Sequence, residues 1–171
     1  LPGGMLPEGG AHFLYIDPVP PPSEREVARA LKGKDNEALA VVKYYKGGYY
    51  LCDLEANTGH DPDWTIMKFW ELVKGWQIDL WEVEPRQYQR TLKWLIEKSM
   101  KLMGTYVKVN VPPKMDMRPK RTRIVQSLQH IAAMGNFYVD RMNPKFAKFI
   151  DQFEQYPNVN HDDELEAVAN A

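Results

Sequence analysis

Cysteine is nearly absent: Cys52 is the only one among 171 residues. A lone thiol excludes an intramolecular disulfide framework and a Cys-rich zinc site, and it suits a reducing compartment. An excess of either charge is lacking too, since 22 Lys+Arg stand against 23 Asp+Glu, for a formal net charge of −1. So even a balance singles out no partner, and any nucleic-acid surface must come from local clustering of basic residues. No run approaches the roughly 18 apolar residues that span a bilayer, and no secretory signal pattern opens the chain, so no membrane partner is expected. What the chain does have is 44% hydrophobic and 12% aromatic residues, enough for a packed core. The length suits one domain.

Leu1–Gly10 contains four Gly and two Pro. Residues 1–11 therefore read as a linker or expression remnant, residues 12–171 as the folded domain, and the chain as a piece of a larger protein. His12–Ile16 is a β-favouring run stopped by Asp17-Pro18. Ala38–Tyr45 and Tyr49–Asp53 form two strands joined by Lys46-Gly47-Gly48, a hairpin signal. A polar loop is expected over Glu55–Asp63. Ile66, Phe69, Trp70, Val73 and Trp76 then recur at helical spacing. Ile78–Val83 is a fourth strand, and Pro85–Met103 a long helix closed by Gly104. Tyr106–Val111 is expected as a fifth strand, followed by a basic helix over about Pro119–Met134 ending at Gly135. Helices over Pro144–Phe153 and Glu164–Asn170 complete the chain. The sum is an α/β domain with a mixed sheet flanked by helices.

Acidic residues mark the ends of these elements. Asp17 ends the first strand, Glu84 ends the fourth, and Asp162-Asp163 opens the last helix. Carboxylates on rigid element ends can be held at fixed separations. Without Cys or His clusters, they favour hard cations such as Mg²⁺ or Mn²⁺. Two such ions about 3.5–4 Å apart clamp the attacking and leaving oxygens of a phosphodiester. The same acids are also ordinary turn and capping devices, so spacing alone leaves both readings open. Lys114, Arg118, Lys120, Arg121 and Arg123 form a basic cluster that can grip phosphates or simply face solvent. His161 either helps cap the last helix or carries a proton near the acids. The tryptophans, including Trp94, are read as core, and Cys52 as a small buried hydrophobe.

Taken in order, the motifs resemble the nuclease domain of a tailed-phage terminase large subunit. The resemblance rests on Tyr15-Ile16-Asp17-Pro18, on Val83-Glu84-Pro85-Arg86-Gln87-Tyr88-Gln89, on Lys120-Arg121-Thr122-Arg123-Ile124, and on Tyr156-Pro157 with His161-Asp162-Asp163-Glu164-Leu165-Glu166-Ala167. It implies an RNase H-like fold with about five strands. Asp17 and Glu84 would be the first two metal-binding acids, with Asp162 or Asp163 the third. Lys120 and Arg123 match the family's Lys-x-x-Arg. Glu82 shares a strand face with Glu84, so the choice between them rests on the Tyr88-Gln89 spacing. Of the paired aspartates, Asp162 fits the helix cap better and Asp163 the metal.

The resemblance further implies metal-dependent cleavage of double-stranded DNA concatemers during viral packaging, in the host cytoplasm. Partners would be an N-terminal packaging ATPase domain, a portal and a small terminase subunit. No Gly-x-x-x-x-Gly-Lys-Ser/Thr occurs, so ATP hydrolysis is not expected of this chain. The competing readings are an RNase H-like junction resolvase or ribonuclease, and a non-catalytic DNA- or portal-docking module.

Overall fold

The computed structural model describes residues 6–18, 37–57, 62–83, 87–110, 128–156, 158 and 163–170, with the side chains of Gln87, Tyr88, Gln89, Asp163, Glu166 and Asn170 aside. Strands β1 (Ala11–Asp17), β2 (Glu37–Tyr45) and β3 (Gly48–Asn57) precede helix α1 (Pro62–Trp76), β4 (Leu80–Val83) and α2 (Gln87–Met103). Then come a short α3 (His130–Ala133), β5 (Phe137–Tyr138), a 3₁₀ turn (Pro144–Phe146), α4 (Ala147–Gln155) and α5 (Asp163–Asn170). The five strands form one mixed sheet in the order β4-β1-β2-β3-β5. β1–β2 and β2–β3 are antiparallel, while β1–β4 and β3–β5 are parallel.

β1 and β2 lie in the middle of the sheet, which is why their apolar runs are nearly continuous rather than alternating. Leu14, Tyr15 and Ile16 are buried in succession, as are residues 37–43. The hairpin turns on Lys46-Gly47, both left-handed at φ 46° and 81°. That pair of positive angles matches the right-handed twist of the flanking strands. Gly48 opens β3 beneath the rings of Tyr50 and Tyr138, where a Cβ would lie 3.1 Å from each.

Two apolar layers sandwich the sheet. On one face Leu14, Ile16, Leu39 and Val41 pack with Phe69, Trp70 and Leu72 of α1 and Leu92, Ile96 and Met100 of α2. On the other face Tyr15, Ala38, Ala40 and Val42 pack with Phe149 of α4 and Leu165, Ala167 and Val168 of α5. Small side chains at Ala38, Ala40 and Ala167 keep little between α5 and the sheet, since close backbone approach needs short side chains.

Three sequence expectations change. The stretch Glu55–Asn57 belongs to β3, not to a loop, because Glu55 accepts from Lys145 Nζ at 2.7 Å and its charge does not oppose pairing. Tyr106–Val111 is not a ladder strand in its described part. It meets β4 through one parallel bridge, Trp81↔Val109, while the Trp81 indole donates to the Val107 carbonyl at 3.0 Å. The fifth strand is instead Phe137–Tyr138, on the far edge beside β3. Trp94 is not core either, being 57% exposed with Lys98 Nζ 5.2 Å above its ring. Its neighbour Leu92 heads the buried Leu92–Ile96–Met100 stripe, and two residues further on is about 200° around a helix. Gly104 closes α2 as expected, with φ 64°.

Before the first strand, Leu6 packs on the α1/α2 layer and Lys43 Nζ donates to the Pro7 carbonyl at 2.6 Å. No described helix is long and apolar enough to cross a membrane.

Candidate functional site

Asp17 is the last residue of β1, with Pro18 next in the chain ending the ladder. It pairs with Ala38 on one side. On the other side β1 and β4 run parallel, with Phe13↔Leu80, Leu14↔Trp81, Tyr15↔Glu82 and Ile16↔Val83 in register. Side chains alternate along a strand. Leu14, Ile16, Trp81 and Val83 all enter the α1/α2 layer, whereas Tyr15 enters the α4/α5 layer. Alternation therefore puts Asp17 on Tyr15's face, the face on which α5 packs. Asp163 is the first residue of α5.

The N-terminus of α5 is held in a way the sequence did not announce. The Leu165 N–H donates to Gln152 Oε1 of α4 at 3.1 Å. Gln152 is only 5% exposed. A neighbouring helix thus supplies the acceptor that an N-cap side chain ordinarily gives to the first turn. Glu164, also buried, pairs with Lys148 Nζ at 3.2 Å. These contacts lock α5 to α4 and fix where its first residue stands over the sheet. The one signal for Gln152 was its place in an otherwise apolar stripe with Phe149 and Phe153.

Glu82 is the penultimate residue of β4 and accepts from Asn110 Nδ2 at 2.6 Å. Burial pushes its carboxyl above the ordinary carboxylate range, and the Asn110 bond only partly offsets this. The Cys52 thiol is pushed up to about 11 by burial and joins the opposite layer. His12 lies at the far end of β1 against the Trp76 ring, its pKa lowered by burial and by Lys43. Neither Cys52 nor His12 therefore stands beside Asp17.

Of the expected site residues, Asp17 is described in full and Asp163 by its place in α5. Glu84, His161 and Asp162 lie outside the described residues, as do Lys114, Arg118, Lys120, Arg121 and Arg123. Among the described residues no group of three or more His, Cys, Asp or Glu could hold a metal ion.

A five-stranded mixed sheet of this order, with helices on both faces and an acid ending β1, the strand that pairs in parallel with β4, defines an RNase H-like domain. The family model described as "Terminase Bacteriophage T7, Ribonuclease H-like domain" matches residues 27–136, well over half of the chain. The chain belongs to that family of terminase RNase H-like domains. Solved structures agree on the fold. The human cytomegalovirus terminase nuclease domain superposes with a TM-score of 0.64 at 14% identity, over 95% of this chain and 81% of that one. The large terminase nuclease from thermophilic phage G20c, solved with bound magnesium, gives 0.60 at 12% identity, over 95% and 80%. The P22 large terminase nuclease domain gives 0.59 at 14%, over 96% and 81%. No curated protein sequence matches the chain.

Proposed function

We propose that residues 12–171 form a divalent-metal-dependent endonuclease that cuts double-stranded DNA concatemers during viral genome packaging. The observation that carries this reading is the parallel register of β1 and β4. Phe13↔Leu80 and Tyr15↔Glu82 are successive cross-strand pairs on one face. The next position on this face of β1 is Asp17, and a register continued one residue past Val83 would bring Glu84 opposite it. Glu84 is one residue beyond Val83, and consecutive Cα atoms are only about 3.8 Å apart. So placed, the two carboxylates would stand side by side, with α5 starting on the same face, and would suit a hard cation.

Asp17, Glu84 and one of Asp162 and Asp163 would hold Mg²⁺ or Mn²⁺, two ions in the full site. Bound there, the ions supply Lewis acidity at the scissile phosphate. The chain's own residues supply the rest. Lys120 and Arg123, supported by Arg121, Arg118 and Lys114, grip the phosphates to either side, and His161 carries a proton at the edge of the site. The magnesium-bound phage G20c nuclease, and the cytomegalovirus domain soaked with manganese, support the choice of ions. In the assembled motor the domain would work in the host cytoplasm beside an N-terminal packaging ATPase, the portal and the small terminase subunit.

The test is nicking of supercoiled plasmid with each divalent metal in turn. Cleavage in Mg²⁺ or Mn²⁺ that EDTA abolishes is expected, with Asp17→Asn inactive yet melting normally. Metal-independent cleavage, or full activity in Asp17→Asn, would sink the proposal.

A further inference from the structure

Two residues back along β1 from Asp17, between β1 and β4, lies a groove of about 220 Å³. Its floor is made by the cross-strand pairs Phe13↔Leu80 and Tyr15↔Glu82, and Asn110 closes one side. Phe13 and Leu80 are half-buried, so the floor is apolar but open to solvent. Asn110 is fixed twice: its N–H donates to the Trp81 carbonyl at 2.8 Å, and its Nδ2 donates to Glu82 Oε2 at 2.6 Å. That leaves three groups without a partner among the described residues: the second Glu82 oxygen, the Asn110 carbonyl oxygen and the second hydrogen of Nδ2. Two acceptors and one donor stand preoriented over an apolar floor.

The charge on the floor decides what fits. A carboxylate repels phosphate, so the groove does not carry the DNA backbone. An uncharged flat heterocycle suits both the apolar floor and the hydrogen-bonding edge. Glu82 can only accept, so it recognises an exocyclic amino group, and the Asn110 amide can satisfy an adjacent donor–acceptor pair on the same base. We propose that this groove is a base-edge subsite, which takes an amino-bearing base (adenine, cytosine or guanine) and disfavours thymine at one position near the cut. The inference rests on the nuclease reading, because Asp17 sets where the cut falls. Tyr15 lies two residues from Asp17, about 7 Å along the strand. That is roughly two base steps at about 3.4 Å each.

The experiment compares cleavage of duplexes differing at single positions around a fixed cut, with cytosine or thymine at each, in Mn²⁺. The wild-type chain should favour cytosine at one position about five- to tenfold, the usual scale of one base contact. In the Glu82→Ala/Asn110→Ala double variant the ratio should fall to about one. Glu82→Gln, which keeps an acceptor oxygen, should retain the preference, and thermal melting reports that each variant folds. Equal ratios in wild type and double variant overturn the subsite alone. Loss of Mn²⁺ binding in Glu82→Gln also overturns it, by making Glu82 a metal ligand. A wild-type chain that cuts neither duplex overturns the nuclease reading and the subsite with it.

Discussion

At the scale of single residues, two glutamates two positions apart in the chain, Glu82 and Glu84, need to be told apart. Glu82 is occupied by Asn110, and burial already opposes its charge. The expected outcome of the paired substitutions is that Glu84→Gln abolishes plasmid cleavage whereas Glu82→Gln leaves measurable cutting. The reverse pattern would shift the metal site one step down the strand. The same environment makes a pH prediction. Glu82's folded pKa lies above the ordinary glutamate value of 4.5, so the folded state holds the proton more tightly than the unfolded chain. Its contribution to stability is therefore full below about pH 4.5 and is lost as pH rises through the folded pKa. At neutral pH the charged form weighs against folding. Glu82→Gln should melt higher than wild type near pH 7, and the advantage should shrink on acidification toward pH 4. Paired melting curves across that range check it.

Elements show how far sequence reaches and where it stops. The hairpin, the α1 stripe, and the long α2 closed by Gly104 were legible because each depends on local chemistry: turn residues, periodicity and a left-handed terminus. Asp17 was legible for the same reason, since Pro18 ends its strand. The extension of β3 through Glu55 was not, because it depends on Lys145, which is distant in the chain. The exchange of the fifth strand was not either: Tyr106–Val111 has the composition of a strand but meets only Trp81, while the two residues Phe137–Tyr138 are too short to stand out. Gln152 is a tertiary cap, and no local pattern encodes it. Its removal makes a prediction about α5. Gln152→Ala leaves the Leu165 N–H without its acceptor and should cost about 1–2 kcal/mol, between a lost cap and an unsatisfied buried donor. Because Gln152 already serves that amide, Asp162→Ala should cost less than the roughly 1 kcal/mol typical of a lost cap. Chemical denaturation of both variants decides the order, and a larger loss for Asp162→Ala would return the cap to the aspartate.

For the whole molecule, the near-neutral charge constrains how DNA can be held. At a formal net charge of −1, the chain's overall field gives no general pull on a polyanion. The grip must be local, and the densest basic stretch in the sequence is Lys114–Arg123, with Asp116 its single acid. Each phosphate neutralised by such a residue releases condensed counterions, steepening the fall of log affinity with log salt by roughly 0.9 per contact on duplex DNA. Reversing Lys120 and Arg123 to glutamate should therefore flatten that slope by about two units, if each makes one contact. The weakening should be equal on unrelated sequences, because phosphate contacts position the duplex without reading it. This separates the basic run from the Glu82–Asn110 groove, whose loss should change base preference and leave the salt slope alone. Fluorescence anisotropy of a labelled duplex over a salt series, in Ca²⁺ to hold cleavage back, measures both. A slope identical to wild type in the double reversal would mean that the run faces solvent or another protein, and that DNA is held from elsewhere on the α5 side of the sheet.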